Sequence, residues 1–222
     1  MPMERFVMDD FQVQISIETL SEKLHLTEQD DVEMMGEKLQ DALRTAKPKA
    51  VYKICEVTEI DGDKVTIEDT EFQSPTLAAK LKGVHNVFAF VATCGTEVDE
   101  WSRREDDYIV NLWLDMLKEM ILVEARKQFR NRLSEKYGIK TFGVMNPGSG
   151  NADTWPIRQQ AQLFSLIGDV KELTGVELTG GTLMYPTKSV SGIMFPSEED
   201  FVSCSICKRV NCQNRKAKYI GA

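Results

Sequence analysis

An α+β fold is the class this sequence predicts. Strand patterns fall in hairpins, the helical stretches are long, and nothing alternates strand with helix as a doubly wound sheet requires. The 222 residues suffice for one large domain, which at that size buries roughly two-thirds of its unfolded surface. Hydrophobic residues make up 42% and charged residues 28%, so the chain is globular rather than disordered.

Thr27 stands where a helix cap belongs, with Glu28, Asp30 and Asp31 in the positive first turn. Val32, Met35, Leu39 and Leu43 then recur at helical spacing until Pro48 ends the segment. Residues 51–57 read as a strand and 64–68 alternate polar with apolar. Asp61-Gly62-Asp63 supplies the turn of a hairpin between them. Pro75 starts a short helix running to Leu81, and the apolar stretch 84–93 is a buried strand. Gly95, just after Cys94, permits the sharp turn that follows. One long helix is expected next, with Val98, Trp101, Ile109, Leu112, Met116, Leu117 and Ile121 on its apolar face. Charges dominate 124–136, and Tyr137-Gly138 stops the helix.

Residues 146–151 form a loop of helix and strand breakers. Thr154 can cap a further helix with Pro156 near its first turn, and Phe164, Leu166 and Ile167 give it apolar positions. Thr179-Gly180-Gly181 is a turn and 190–195 a strand. From Phe201 onward the chain is a tail that holds three of the five cysteines and a basic cluster.

Several chemistries find no support. Acidic residues number 35 against 27 basic ones, a net charge of −8, which disfavours a nucleic-acid partner. No apolar run approaches the roughly 20 residues of a membrane helix, and residues 1–14 lack a signal-peptide pattern. A cytoplasmic location is therefore expected, where thiols stay reduced and cysteines serve as core, metal or redox residues. His25 and His85 form no metal pair, and Gly148-Ser149-Gly150 is neither a nucleophile elbow nor a dinucleotide fingerprint. Cys94 with His85 is read as a buried thiol at a strand end, not a nucleophile with its base.

Two local signals remain. Cys204, Cys207 and Cys212 have CxxC spacing with a third thiol five residues on, a pattern that lets two sulfurs converge on one ion. An iron–sulfur cluster and zinc both fit, with Cys55 or Cys94 as candidate fourth ligands. Lys208, Arg209, Arg215 and Lys216 favour the thiolate form. The second signal is the stretch from Tyr185 to Ile193, where Pro186 fixes a turn, Lys188, Ser189 and Ser191 offer donors, and Gly192 permits close approach to the backbone. A surface turn entering a strand would have the same composition.

Pro186-Thr187-Lys188-Ser189-Val190-Ser191-Gly192 resembles the P-x-K/A-S-V-S-G stretch of the activation domain of cobalamin-dependent methionine synthase. Asn146-Pro147-Gly148, Trp155-Pro156, Gln160, Leu163-Phe164 and Gly175-Val176-Glu177-Leu178-Thr179 follow the same order. Ala92-Thr93-Cys94-Gly95 and Val123-Glu124-Ala125 look like the stand-alone bacterial members. The resemblance implies a C-shaped α+β domain with a twisted antiparallel sheet, spanning residues 1–200. Within it, 1–83 form an N-terminal helix-and-hairpin part and 84–200 the core, with 201–222 a Cys-rich tail.

The family's activity is reductive reactivation of a cobalamin whose cobalt has reached the inert cob(II) state, using a low-potential electron donor and a methyl group. A corrinoid protein or cobalamin-dependent methyltransferase is the implied partner, and cobalamin the implied cofactor, carried by that partner. Carried over residue by residue, Tyr185 approaches the cobalt and Glu124 faces a sulfonium. Pro147, Gly148, Pro186, Lys188, Ser189, Ser191 and Gly192 contact the cofactors. Two departures qualify this. The family's loop reads R-x-x-P-G-Y, and its Arg and Tyr are associated with S-adenosylmethionine; here those positions are Val144 and Ser149. Valine cannot make the bidentate bond of a guanidinium to a carboxylate, so S-adenosylmethionine would need a rebuilt pocket. The three-Cys tail has no counterpart in the methionine synthase domain. It suggests electron supply to a corrinoid without remethylation, or a zinc or iron–sulfur binding protein that reuses the fold.

Overall fold

The computed structural model describes residues 4–150, 154–207, 209, 211, 215 and 217–220. Its centre is a curled antiparallel sheet in the order β4-β3-β2-β5-β9-β6, with β1 paired to β2 beside β3. The strands are β1 Arg5–Met8, β2 Lys49–Asp61, β3 Lys64–Ile67, β4 Thr70–Gln73, β5 Asn86–Thr93, β6 Phe142–Met145 and β9 Ser189–Pro196. A separate small hairpin joins β7 Glu177–Thr179 to β8 Leu183–Tyr185 through Gly180 and Gly181, both with positive φ. The α+β class is therefore observed.

Strand alternation builds two cores. Tyr52, Phe88, Phe90 and Met194 face helices α1 Ile17–Leu24, α2 Gln29–Thr45, α4 Thr96–Ser102 and α5 Tyr108–Tyr137. Val51, Val87, Val91 and Ile193 face the opposite way, towards α3 Pro75–Lys80, α6 Gln160–Ile167 and α7 Val170–Thr174. A strand covered on both faces has no polar side to show, which explains the unbroken apolar run of β5.

The expected hairpin is β2–β3, with Asp61 paired to Lys64 across Gly62, and β4 extends it into a meander. Ser74 caps α3 by accepting the Leu77 amide at 2.9 Å. Elsewhere the structure corrects the sequence reading. The first helix is α1, whose cap Ser16 accepts the Thr19 amide. Helix α2 begins at Gln29 with Glu28 as its cap residue, so Thr27 is not the cap. The long helix expected from residue 98 is two helices, because Asp107 accepts the amides of Ile109 and Val110 and starts α5 anew. After Pro156 comes a 3-10 turn, Ile157–Gln159, and α6 starts only at Gln160, so Thr154 does not cap it. Gly138, at φ +67°, does end α5.

Candidate functional site

A cleft of about 1140 Å³ opens where the second half of α5, the loop after β6, strand β9 and the tail converge. The sheet supplies an apolar floor of Phe90, Val144, Val190 and Met194. Pro147 and Gly148 form one lip. Their turn is fixed from below: Asn146 Nδ2 donates to the Ser191 carbonyl at 2.7 Å, and the Gly148 amide donates to the Trp155 carbonyl at 2.8 Å. Gly148 has φ +77°, and a Cβ there would lie 2.7 Å from Ile157, so glycine is required on both counts.

The remaining walls are basic. Arg126, Lys127 and Arg130 line the α5 side and Arg209 the tail side. Arg130 is held by Asp200 at 2.7 Å, and Lys127 stands 3.9 Å from Glu124. Glu124 also accepts a bond from Gln128 on its own helix, and its side chain is 29% exposed, beside the cleft rather than in its lining. Arg126 is half-buried and has no hydrogen-bond or ion-pair partner among the described residues. Burial pushes its pKa down, and the neighbouring Cys204 acts in the opposite direction.

Cys204 lies on a short 3-10 turn, Ser203–Ile206, that covers the cleft, and Cys207 ends it; both are half-buried and both free. Arg215 ties the turn down, donating to the carbonyls of Cys204 at 3.0 Å and Cys207 at 3.1 Å. Cys212, with Lys208 and Lys216, lies outside the described residues. Among the described residues no group of three His, Cys, Asp or Glu could hold a metal. Cys55 and Cys94 do not join the tail as ligands. They are fully buried in opposite cores, and burial pushes both thiols up to about 12. His85 is exposed just before β5 and Cys94 just after it, so the strand's length separates them.

The other predicted residues gather elsewhere. Tyr185 ends β8, packed under the Arg103 guanidinium at 4.7 Å. Asp99 holds Arg103 at 3.0 Å and Lys118 at 2.9 Å. Burial raises the Tyr185 pKa, and Asp99 raises it further. Lys188 pairs with Asp115 at 2.8 Å. Asp115 and Arg126 are about 16 Å apart along α5 at 1.5 Å per residue, so two clusters share one helix.

The stretch expected as a ligand-rimming loop is a strand from Ser189 onward. Ser189 Oγ lies 2.7 Å from the Pro186 carbonyl and 3.0 Å from Thr93 Oγ1. Ser191 is buried inside the sheet. The absent Cβ of Gly192 leaves room for the Met145 carbonyl and the Asn146 side chain, a packing need rather than an open approach. Sequence reasoning missed Arg126 and also Ser203, which lines the cleft, is buried, and has no partner for its hydroxyl among the described residues. Arg126 and Arg130, one helical turn apart in the charged stretch 124–136, were the available signal for a basic face.

No family model matches the chain, and no curated protein does. The fold is similar to that of a solved structure, the MetH reactivation domain bound to AdoHcy, with TM-score 0.60 and 17% identity. The match covers 90% of this chain and 81% of that one. This is a likeness of fold. Among the described residues no helix is long and apolar enough to cross a membrane.

Proposed function

We propose that the protein is a corrinoid accessory factor, acting in reductive reactivation of, or methyl transfer involving, a cobalamin-carrying protein. The supporting observation is the fold shared with the MetH reactivation domain over nine-tenths of the chain. In this reading residues 1–200 form the docking domain, with 1–83 supporting the core at 84–200. Tyr185, Pro186 and Lys188 form the corrin-facing edge, backed by Ser189, Ser191 and Gly192. With a corrinoid docked there, Tyr185 would be the side chain closest to the metal and would disfavour a further ligand to it, which would make its reduction easier. Arg103 and Asp99 hold its ring in place. Pro147 and Gly148 line the entry for a small ligand, with Glu124 beside it. The electron comes from a low-potential donor.

Titration of purified protein with cob(II)alamin, free and on a carrier, tests this. The visible spectrum should move towards the four-coordinate form, and Tyr185→Ala should abolish the change. An unchanged spectrum at high protein concentration overturns the reading.

A second reading rests on the sequence spacing: residues 201–222 bind zinc or an iron–sulfur cluster through Cys204, Cys207 and Cys212, and the protein is a binding or assembly factor. Anaerobic purification with zinc, iron and sulfide analysis tests it. Metal that stays bound after Cys204→Ser excludes this ligand set.

A further inference from the structure

We propose that Arg126 and Ser203 form an anion receptor within the cleft, which takes the carboxylate or phosphate of a small ligand whose body lies on the apolar floor. The inference takes the cleft as a ligand site but does not depend on contact with a corrin.

Two independent observations carry it. Arg126 is a half-buried cation with no carboxylate or hydrogen-bond acceptor among the described residues, while its neighbours on the helix are matched: Arg130 by Asp200 at 2.7 Å and Lys127 by Glu124 at 3.9 Å. A cation withdrawn from water without a partner is destabilising. Ser203 lines the same cleft, is 2% exposed, and its hydroxyl has no partner among the described residues. Buried hydroxyls are nearly always satisfied. One guanidinium and one hydroxyl, both unsatisfied in one cavity, are donors without an acceptor, and an oxyanion supplies the acceptor for both.

The rest of the cleft fits an amphipathic ligand. Phe90, Val144, Val190 and Met194 offer an apolar surface, and Lys127 and Arg209 add positive charge at the walls. The protein as a whole carries −8, so this concentration of cations runs against its overall charge. The receptor stands on α5 and the tail rather than on the Pro147–Gly148 loop, where Val144 offers no charge. The anion is therefore held between the helix and the tail, away from that loop.

Thermal-shift and calorimetric binding with three probes separate the sources. S-adenosylhomocysteine carries a carboxylate, 5′-methylthioadenosine has the same nucleoside without it, and inorganic phosphate is the bare oxyanion. If the ligand is a carboxylate, wild-type protein should bind S-adenosylhomocysteine more tightly than methylthioadenosine. If it is a phosphate, inorganic phosphate alone should raise the melting temperature. In either case Arg126→Met should weaken the anion by about tenfold or more, the scale of a lost charge-assisted bond. It should leave methylthioadenosine unchanged, and Ser203→Ala should weaken the anion less. The Arg126→Met protein itself should melt no lower than wild type, because an apolar chain of similar volume replaces an unpaired cation. A lower melting temperature would make Arg126 a structural cation and overturn the proposal. So would indifference to both anions, or equal loss for all probes. Cob(II)alamin spectra report on the Tyr185 surface, so failure there and failure here are separate results.

Discussion

Asp99 is a carboxylate at 2% side-chain exposure between two cations, Lys118 at 2.9 Å and Arg103 at 3.0 Å. Burial works to raise its pKa, but the bonds and charges of Lys118 and Arg103 outweigh burial and hold it below the ordinary 3.8. A carboxyl with a lowered folded pKa contributes stability that is complete above its unfolded value and is lost as pH falls through the folded one. Asp99→Asn should therefore be less stable than wild type at neutral pH by about 3 kcal/mol, since it leaves the buried Lys118 poorly matched. That difference should shrink as pH falls below 3.8. Denaturant melts over a pH series measure it, and a gap that ignores pH would contradict the assignment. The same substitution releases Arg103 from its anchor, so the Tyr185 ring should lose its fixed cover. The cysteines differ in kind: Cys55 and Cys94, pushed up to about 12 by burial, stay as core thiols, while among the described residues Cys204 and Cys207 are the partly exposed ones.

Strand β9 sits between β5 and β6, and at Gly192 the Met145 carbonyl, the Asn146 side chain and the Phe90 ring crowd the backbone. A Cβ at Gly192 would lie 2.5 Å from the Met145 carbonyl and 3.2 Å from Phe90. The carbonyl belongs to a paired strand and cannot swing aside as a flexible side chain would. Gly192→Ala should cost about 1–3 kcal/mol as overpacking, lowering the melting temperature by about 2–4 °C per kcal/mol in a chain of this size. An unchanged melting temperature would mean that β6 yields. The reading of Gly192 from sequence as a place for ligand approach identified the need for a small residue but not its cause. Elements with a long period or a sharp terminator were legible: α2, the β2–β3 turn at Gly62, β5, and the end of α5 at Gly138. Strands β1, β4 and β6 have four residues each, too few to establish a period. The break between α4 and α5 was hidden because Val98 and Leu114 face the same core on either side of it. Only the cap at Asp107 marks it, and an Asp in an acidic run does not declare itself as a cap. The lip at Pro147 and Gly148 and the CxxC turn were legible as breakers and spacing. Arg126 was not, because a cation facing a cleft and one facing water look alike in a charged helix.

The two cores lie on opposite faces of one sheet, and the tail reaches both. Phe201 is 6% exposed in the core shared with α6, with Lys80 Nζ 4.1 Å over its ring. Val202 packs on the other side, against the α5 core. Between them the Phe201 carbonyl accepts the Val144 amide at 2.7 Å, and Val202 bridges Val144 in parallel. This short pairing covers the β6 edge and carries the chain to Ser203 and the CxxC turn over the cleft. The tail is thus fastened at its root, and the cleft is complete only while it stays fastened. Phe201→Ala removes the larger anchor and leaves a cavity in the α6 core, at a cost of about 3 kcal/mol or more. Because the lost contacts lie at the tail's root, that cost should appear first as local release rather than global unfolding. Trypsin should then cut at Arg209 and Arg215 well before it attacks α5, and any stabilisation by anions should fall together with tail protection. If the tail is cut no faster than in wild type, Val202 and Arg215 hold it without Phe201, and the cleft keeps its cover by a different route.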